Sequence, residues 1–158
     1  MTFEVDPKRA VTNSYGVRVT KQKYGGVINE DVIKSASYTF SYDDLPNWTA
    51  QKLELVIPAN AKILFARLEV LVGFVGGTSY TVGTSKSSDG TVVNATGLFT
   101  AANLPVASIG ARGNFIIGSG AQVGATVGVD AVEVAVVATG TFTAGKARIT
   151  IQYMPEGV

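Results

Sequence analysis

The stretch ILFARLEVLVGFV, residues 63–75, constrains the fold of this chain more than any other feature of its sequence. In steps of two residues, one face is wholly apolar and consists of Leu64, Ala66, Leu68, Val70, Val72 and Phe74. Alternation with a period of two and one apolar face is typical of a strand that lies against a hydrophobic core, whereas a helix would scatter these side chains around its axis. We therefore predict a central strand over residues 63–75.

Shorter alternating runs lie on both sides of this stretch, and turn residues separate most of them. We predict strands over residues 37–42, 53–57, 79–84, 114–117, 122–128, 132–139 and 141–154. In the last of these, Ala147, Ile149, Ile151 and Tyr153 are expected to point inward. Residues 91–111 are interpreted as mostly loop, with room for one short helix around residues 100–103, because Gly97, Pro105 and Gly110 prevent a longer one.

Eight or nine short strands without a long helix predict an all-β fold, a β-sandwich or jelly roll of about eight strands. Residues 1–34 carry more charge and less alternation, and we interpret them as an N-terminal extended arm that contacts a neighbouring subunit. Residues 35–158 would form the β-sandwich domain. The apolar anchors of the arm would be Val27, Ile28, Val32 and Ile33. The alternative is that residues 1–34 form an N-terminal strand followed by a loop.

The composition excludes several classes of function. The 158 residues fit one domain, and their net charge of +1 argues against nucleic acid as a ligand. The absence of cysteine excludes disulfides and thiolate metal sites, and the absence of histidine excludes serine–histidine catalysis. No apolar run reaches the roughly 20 residues that span a bilayer, and no signal peptide is evident. We expect no membrane partner and no cofactor.

The acidic residues do not form a convincing catalytic or metal site in the sequence. Asp43 with Asp44 and Asp130 with Glu133 are the available carboxylate pairs, and Asp89 lies in a serine-rich loop that could only poorly imitate a calcium site. Each has an ordinary role as a turn former or as an outward charge on a strand. We therefore predict that the protein is not an enzyme and binds no metal.

Several predicted strands have more apolar side chains than one buried face requires. Charged residues make up 16% of the chain, against about 25% in an average domain. A second apolar face must be covered by a loop or by another subunit. We favour another subunit, and the side chains expected to mediate self-association are Phe65, Leu71, Val75, Val132, Val134, Val136 and Val137.

From Leu55 onward the sequence resembles the capsid decoration, or cement, proteins of tailed bacteriophages. The residues that carry the resemblance are the segments IPANAKILFARLEVLVGF, GGTSYTVGTSKSSDG and VGATVGVDAVEVAVVATGTFTAGKARITIQYMP. They extend over about two thirds of the chain and leave the first 50 residues unmatched. The resemblance implies a jelly-roll homotrimer on the capsid surface of the virion. In that place it would bind the major capsid protein through the N-terminal arm, residues 1–34, stabilise the assembled shell and catalyse no reaction.

Two other functions remain open at this point. The chain could be a carbohydrate-binding or receptor-binding β-sandwich of a phage tail or fibre, with Trp48, Tyr42 and Tyr80 as stacking residues. It could also be a component of a head–tail connector, where similar sandwiches occur.

Overall fold

A computed structural model describes residues 33–44 and 51–155, with the side chains of strand β2 described from Leu55 onward. The described residues form eight strands: β1 Lys34–Ser41, β2 Gln51–Ile57, β3 Lys62–Gly76, β4 Ser79–Lys86, β5 Val92–Phe99, β6 Phe115–Ile117, β7 Val132–Thr139 and β8 Phe142–Met154. A 3-10 turn, Tyr42–Asp44, follows β1, and a four-residue helix α1, Val106–Ile109, lies between β5 and β6.

The strands form two four-stranded antiparallel sheets. The first sheet has the order β1-β8-β3-β6, and the second has the order β2-β7-β4-β5. The core consists of side chains from the inner faces of both sheets. The predicted all-β sandwich is confirmed, with β3 and β8 paired over most of their length at the centre of the first sheet.

Strand β3 departs from simple alternation at several β-bulges. Its register with β8 shifts between Ile63 and Phe65 and again on both sides of Val72. A bulge inserts one residue and so changes which face the following side chains occupy. Ala66, Leu68, Val70 and Phe74 are buried as predicted, but Ile63 is buried where Leu64 was expected, and Val72 is 49% exposed. In β8, which pairs without a bulge from Gln152 to Ala147, the predicted inward residues Ala147, Ile149 and Ile151 are buried.

The middle of the chain differs most from the prediction. Residues 92–99, expected to be loop, form strand β5, and the short helix lies at Val106–Ile109 instead of residues 100–103. Residues 122–128, expected to be a strand, form turns and an isolated bridge between Lys62 and Thr126. Gly97 was one reason to interpret these residues as loop. In the structure it lies in β5, where the Gln122 side chain occupies the position that a Cβ atom would need.

Residues 118–127 join the two sheets along one side of the sandwich. Gly118 N and Val127 N donate to Ala66 O and Ala61 O on the side of β3. Gly120 N and Gln122 N donate to Leu98 O and Gly97 O in β5. This segment therefore satisfies backbone groups of both sheets, which explains how a stretch with few apolar residues is held in place.

The valines of β7 were expected to mediate self-association, and for three of them this expectation is wrong. Val132, Val134 and Val136 have no exposed surface and belong to the core of the chain itself. Ala135, on the opposite face, is 4% exposed. It pairs with Gly83, where Asn94 and Ala95 of β5 pass so close that no Cβ atom would fit. At Ala135, the second apolar face of β7 is thus covered by the chain's own β5.

Candidate interaction surface

The largest exposed aromatic side chain of the described residues lies on the edge strand β6. Phe115 is 57% exposed and Ile117 is 53% exposed, although both belong to a strand that pairs with β3. Asn114 O accepts from Val70 N, and Gly118 N donates to Ala66 O. Because antiparallel strands alternate the direction of their backbone groups, the N–H and C=O groups of Phe115 and Ile117 point away from β3 toward the free edge. Two apolar side chains and a strand edge without a partner among the described residues therefore occur together.

Two arginines make this edge basic. The Arg67 guanidinium carbon lies 5.3 Å from the centroid of the Phe115 ring, which is cation–π geometry. Arg112 is exposed in the turn that leads into β6. Neither arginine forms an ion pair with a residue in the described part of the chain, whereas Arg148 is paired with Glu69 at 3.2 Å. We refer to Phe115, Ile117, Arg67 and Arg112 as the β6 surface.

The predicted self-association residues outside the core are spread along β3 and β7. Val75 is 57% exposed, near the end of β3, and Val72 beside it is 49% exposed. Phe65, Leu71 and Val137 are partly buried. The structure does not gather these residues into one patch with Val132, Val134 and Val136, because the latter face the core.

Of the four predicted anchors of the arm, Ile33 is described and is 54% exposed. Val27, Ile28 and Val32 lie outside the described residues, as does Trp48. Tyr80, expected to stack on a sugar, is fully buried, so that expectation is wrong. Its ring stacks on Phe142 at 4.4 Å and meets Phe74 edge-on at 5.0 Å. Tyr42 is partly buried and packs against the core.

The acidic residues considered as catalytic or metal-binding candidates have structural contacts. Asp44 accepts hydrogen bonds from the backbone N–H and the hydroxyl of Ser41, and Asp89 accepts one from Thr91 N. Asp130 lies 2.8 Å from Lys86 Nζ. Among the described residues, no three acidic side chains come together as a metal site would require. In the same residues, no helix is long and apolar enough to cross a membrane.

Sequence reasoning identified residues 114–117 as a strand but missed their exposure. The signal that could have revealed it is the isolation of FII between Gly113 and Gly118, since so short a strand can only lie at an edge. The partner of Phe115, Arg67, lies 48 residues earlier and is brought close only by the pairing of β3 with β6.

Comparison with solved structures places this fold among virus proteins. A chain of the capsid asymmetric unit of cyanophage Pam1 superposes with a TM-score of 0.57 at 15% identity, covering 85% of this chain and 94% of that one. The fold is shared with phage capsid chains. A chain from the capsid of Ralstonia phage GP4 also has a TM-score of 0.57, at 16% identity, covering 83% of this chain and 90% of its own length. No protein-family model and no curated protein matches the sequence.

Proposed function

We propose that this protein is a structural protein of a phage virion that decorates the assembled capsid and stabilises it by binding the major capsid protein. The observation that carries the proposal is the fold match, which covers 94% and 90% of the two capsid chains. Because the match covers most of this chain and nearly all of each matched chain, the two capsid chains are of about the same size as this one. A small separate chain in a capsid suits an accessory role on the shell.

Stabilisation by such a protein follows from mass action. A ligand that binds the assembled lattice and not the free subunits lowers the free energy of the lattice by RT ln(1 + [L]/Kd) at each site. Many equivalent sites on one shell add up, so modest affinity at each site suffices. This mechanism requires no reacting side chain, in keeping with a chain that has neither histidine nor cysteine.

Contacts with the shell and between copies would use different parts of the chain. Residues 1–34, with the anchors Val27, Ile28, Val32 and Ile33, would grip the capsid or a neighbouring copy. Self-association, for which we favour a trimer, would use the side chains of the earlier set that lie outside the core, namely Phe65, Leu71, Val75 and Val137. The exposed Val75 supports this assignment most directly.

Co-sedimentation tests the proposed function. Purified full-length protein is mixed with empty, expanded capsids of the parent phage that lack it, and the bound amount is measured against the amount of added protein. Saturable binding in a fixed ratio to the major capsid protein, with a higher temperature of capsid disruption, is the expected result. Absence of the protein from the capsid fraction, or retention on a polysaccharide column instead, would overturn the proposal.

A further inference from the structure

We propose that the β6 surface is where the shell contacts this domain, by adding an extended, acidic segment of a capsid protein as a fifth strand beside β6. The inference rests on the proposed function and specifies the contact surface and the chemistry of the partner. It goes beyond the grip assigned to residues 1–34, because it concerns the folded domain.

The backbone is the first part of the argument. Strand β6 is the last strand of its sheet, and its groups at Phe115 and Ile117 face the free edge within the described part of the chain. Gly113, at a φ of 84°, and the tightly packed Gly118 end the strand on either side. An added strand of three to five residues would match this length and would satisfy the free N–H and C=O groups.

The side chains define the chemistry of the added strand. Phe115 and Ile117 are two residues apart on one face, so they offer two apolar contacts at the spacing of alternate residues in a neighbouring strand. Arg67 and Arg112 are cations without a described carboxylate partner, in a chain whose net charge is only +1. A segment in which Asp or Glu accompanies apolar residues would therefore complement the β6 surface in both respects.

A second copy suits this surface less well. Two copies that paired β6 with β6 would bring the same two arginines toward each other. An acidic strand of a different protein avoids the repulsion and neutralises Arg67 on the ring of Phe115. We therefore assign the surface to the shell.

Amide hydrogen exchange of the full-length protein distinguishes the possible occupants of the edge. The readout is the exchange rate in the peptide that contains residues 112–119, measured for the free protein at low and high concentration and for the capsid-bound protein. Slowing of exchange by at least tenfold only on capsids supports the proposal. Slow exchange in the dilute free protein would mean that another segment of the same chain occupies the edge. Slowing that grows with protein concentration would mean that a second copy occupies it. Either result overturns the proposal.

Substitutions separate this inference from the proposed function. Arg67→Glu and the double variant Phe115→Ser with Ile117→Ser are expected to weaken capsid binding at least tenfold, with unchanged solution mass and with the domain still folded. Val129→Ser is the matched control, because Val129 is 84% exposed elsewhere and should bind as the parent does. If the parent protein co-sediments and the variants bind equally well, the inference fails while the proposed function stands. If the parent protein does not bind, both fail.

Discussion

The guanidinium of Arg67 lies over the ring of Phe115, 5.3 Å from its centroid, on the outer face of the first sheet. The two residues belong to neighbouring strands, with Arg67 in register with Ile117 and Glu69 in register with Phe115. An exposed aromatic ring at a sheet edge is thus held by a cation and not by the core. Phe115 and Arg67 are therefore available to a partner, because neither side chain belongs to the core that stabilises the fold.

The first prediction concerns the contribution of Phe115 to folding. Phe115→Ser should lower the free energy of unfolding by less than about 1 kcal/mol, because the ring is mostly in solvent and loses mainly an exposed cation–π contact. Phe99→Ala, a change at a fully buried ring, should cost about 3–5 kcal/mol. Urea unfolding of both variants measures the difference. Equal losses would show that Phe115 belongs to the core.

The second prediction concerns the valines of β7. Val134→Ala removes two buried methyl groups and should lower the free energy of unfolding by about 2 kcal/mol without changing the mass in solution. Val137→Ala, a change on the partly buried outer face, should cost less than half as much. Chemical unfolding and light scattering check the two quantities. A change in oligomeric mass for Val134→Ala would restore the role in self-association that was expected from the sequence.

The fold class followed from the sequence because alternation survives wherever strands pair regularly. Ala147, Ile149 and Ile151 of β8 lie opposite β3 without a bulge, and all three are buried as their spacing predicts. Alternation failed where bulges occur, since Val72 has the spacing of a core residue but lies between two register shifts. Nothing in the local sequence of β3 specifies those shifts, because they depend on the pairing with β8.

The interaction surface was less accessible to sequence reasoning than the fold. Strand β7 does have more apolar residues than one buried face requires. At Ala135, however, the second face is covered by β5 of the same chain. We had interpreted β5 as loop because of Gly97 and Pro105. The sequence shows that Phe115 is apolar, whereas its exposure results from the position of β6 at the end of the strand order. Strand order depends on contacts between distant residues, so a single sequence without its pairing could not reveal the β6 surface.

The third prediction concerns a buried hydrogen bond that links the second sheet to residues 118–127. The Thr84 hydroxyl donates to Gln122 Oε1 at 2.8 Å, with both side chains buried. Thr84→Val should lower the free energy of unfolding by about 1–3 kcal/mol, because it leaves the amide oxygen of Gln122 without this donor. The double variant Thr84→Val with Gln122→Leu should cost less than the sum of the two single changes. Additive losses in a double-mutant cycle would contradict a direct interaction.

The fourth prediction concerns the hydroxyl of Tyr80. This oxygen is buried and has no hydrogen-bond partner in the described residues, although the ring stacks well on Phe142. Tyr80→Phe keeps the stacking and removes the unsatisfied group, so the free energy of unfolding should rise by about 1 kcal/mol. Thermal and urea unfolding near neutral pH measure the change. A loss of stability would mean that the hydroxyl has a favourable contact.

The fifth prediction concerns the stability of the protein at alkaline pH. Burial raises the pKa of Tyr80 above its ordinary value of about 10, because the charged phenolate is disfavoured in the core. The folded state therefore holds this proton to a higher pH than the unfolded state does. The resulting stabilisation is complete below about pH 10 and is lost as the pH rises above that value.

Unfolding midpoints of the parent protein should fall more steeply above pH 10 than those of Tyr80→Phe. The raised pKa of Lys86 beside Asp130 acts in the same direction in both proteins, so the comparison cancels it. Parallel pH profiles for the two proteins would show that Tyr80 ionises as readily in the folded state as in the unfolded one.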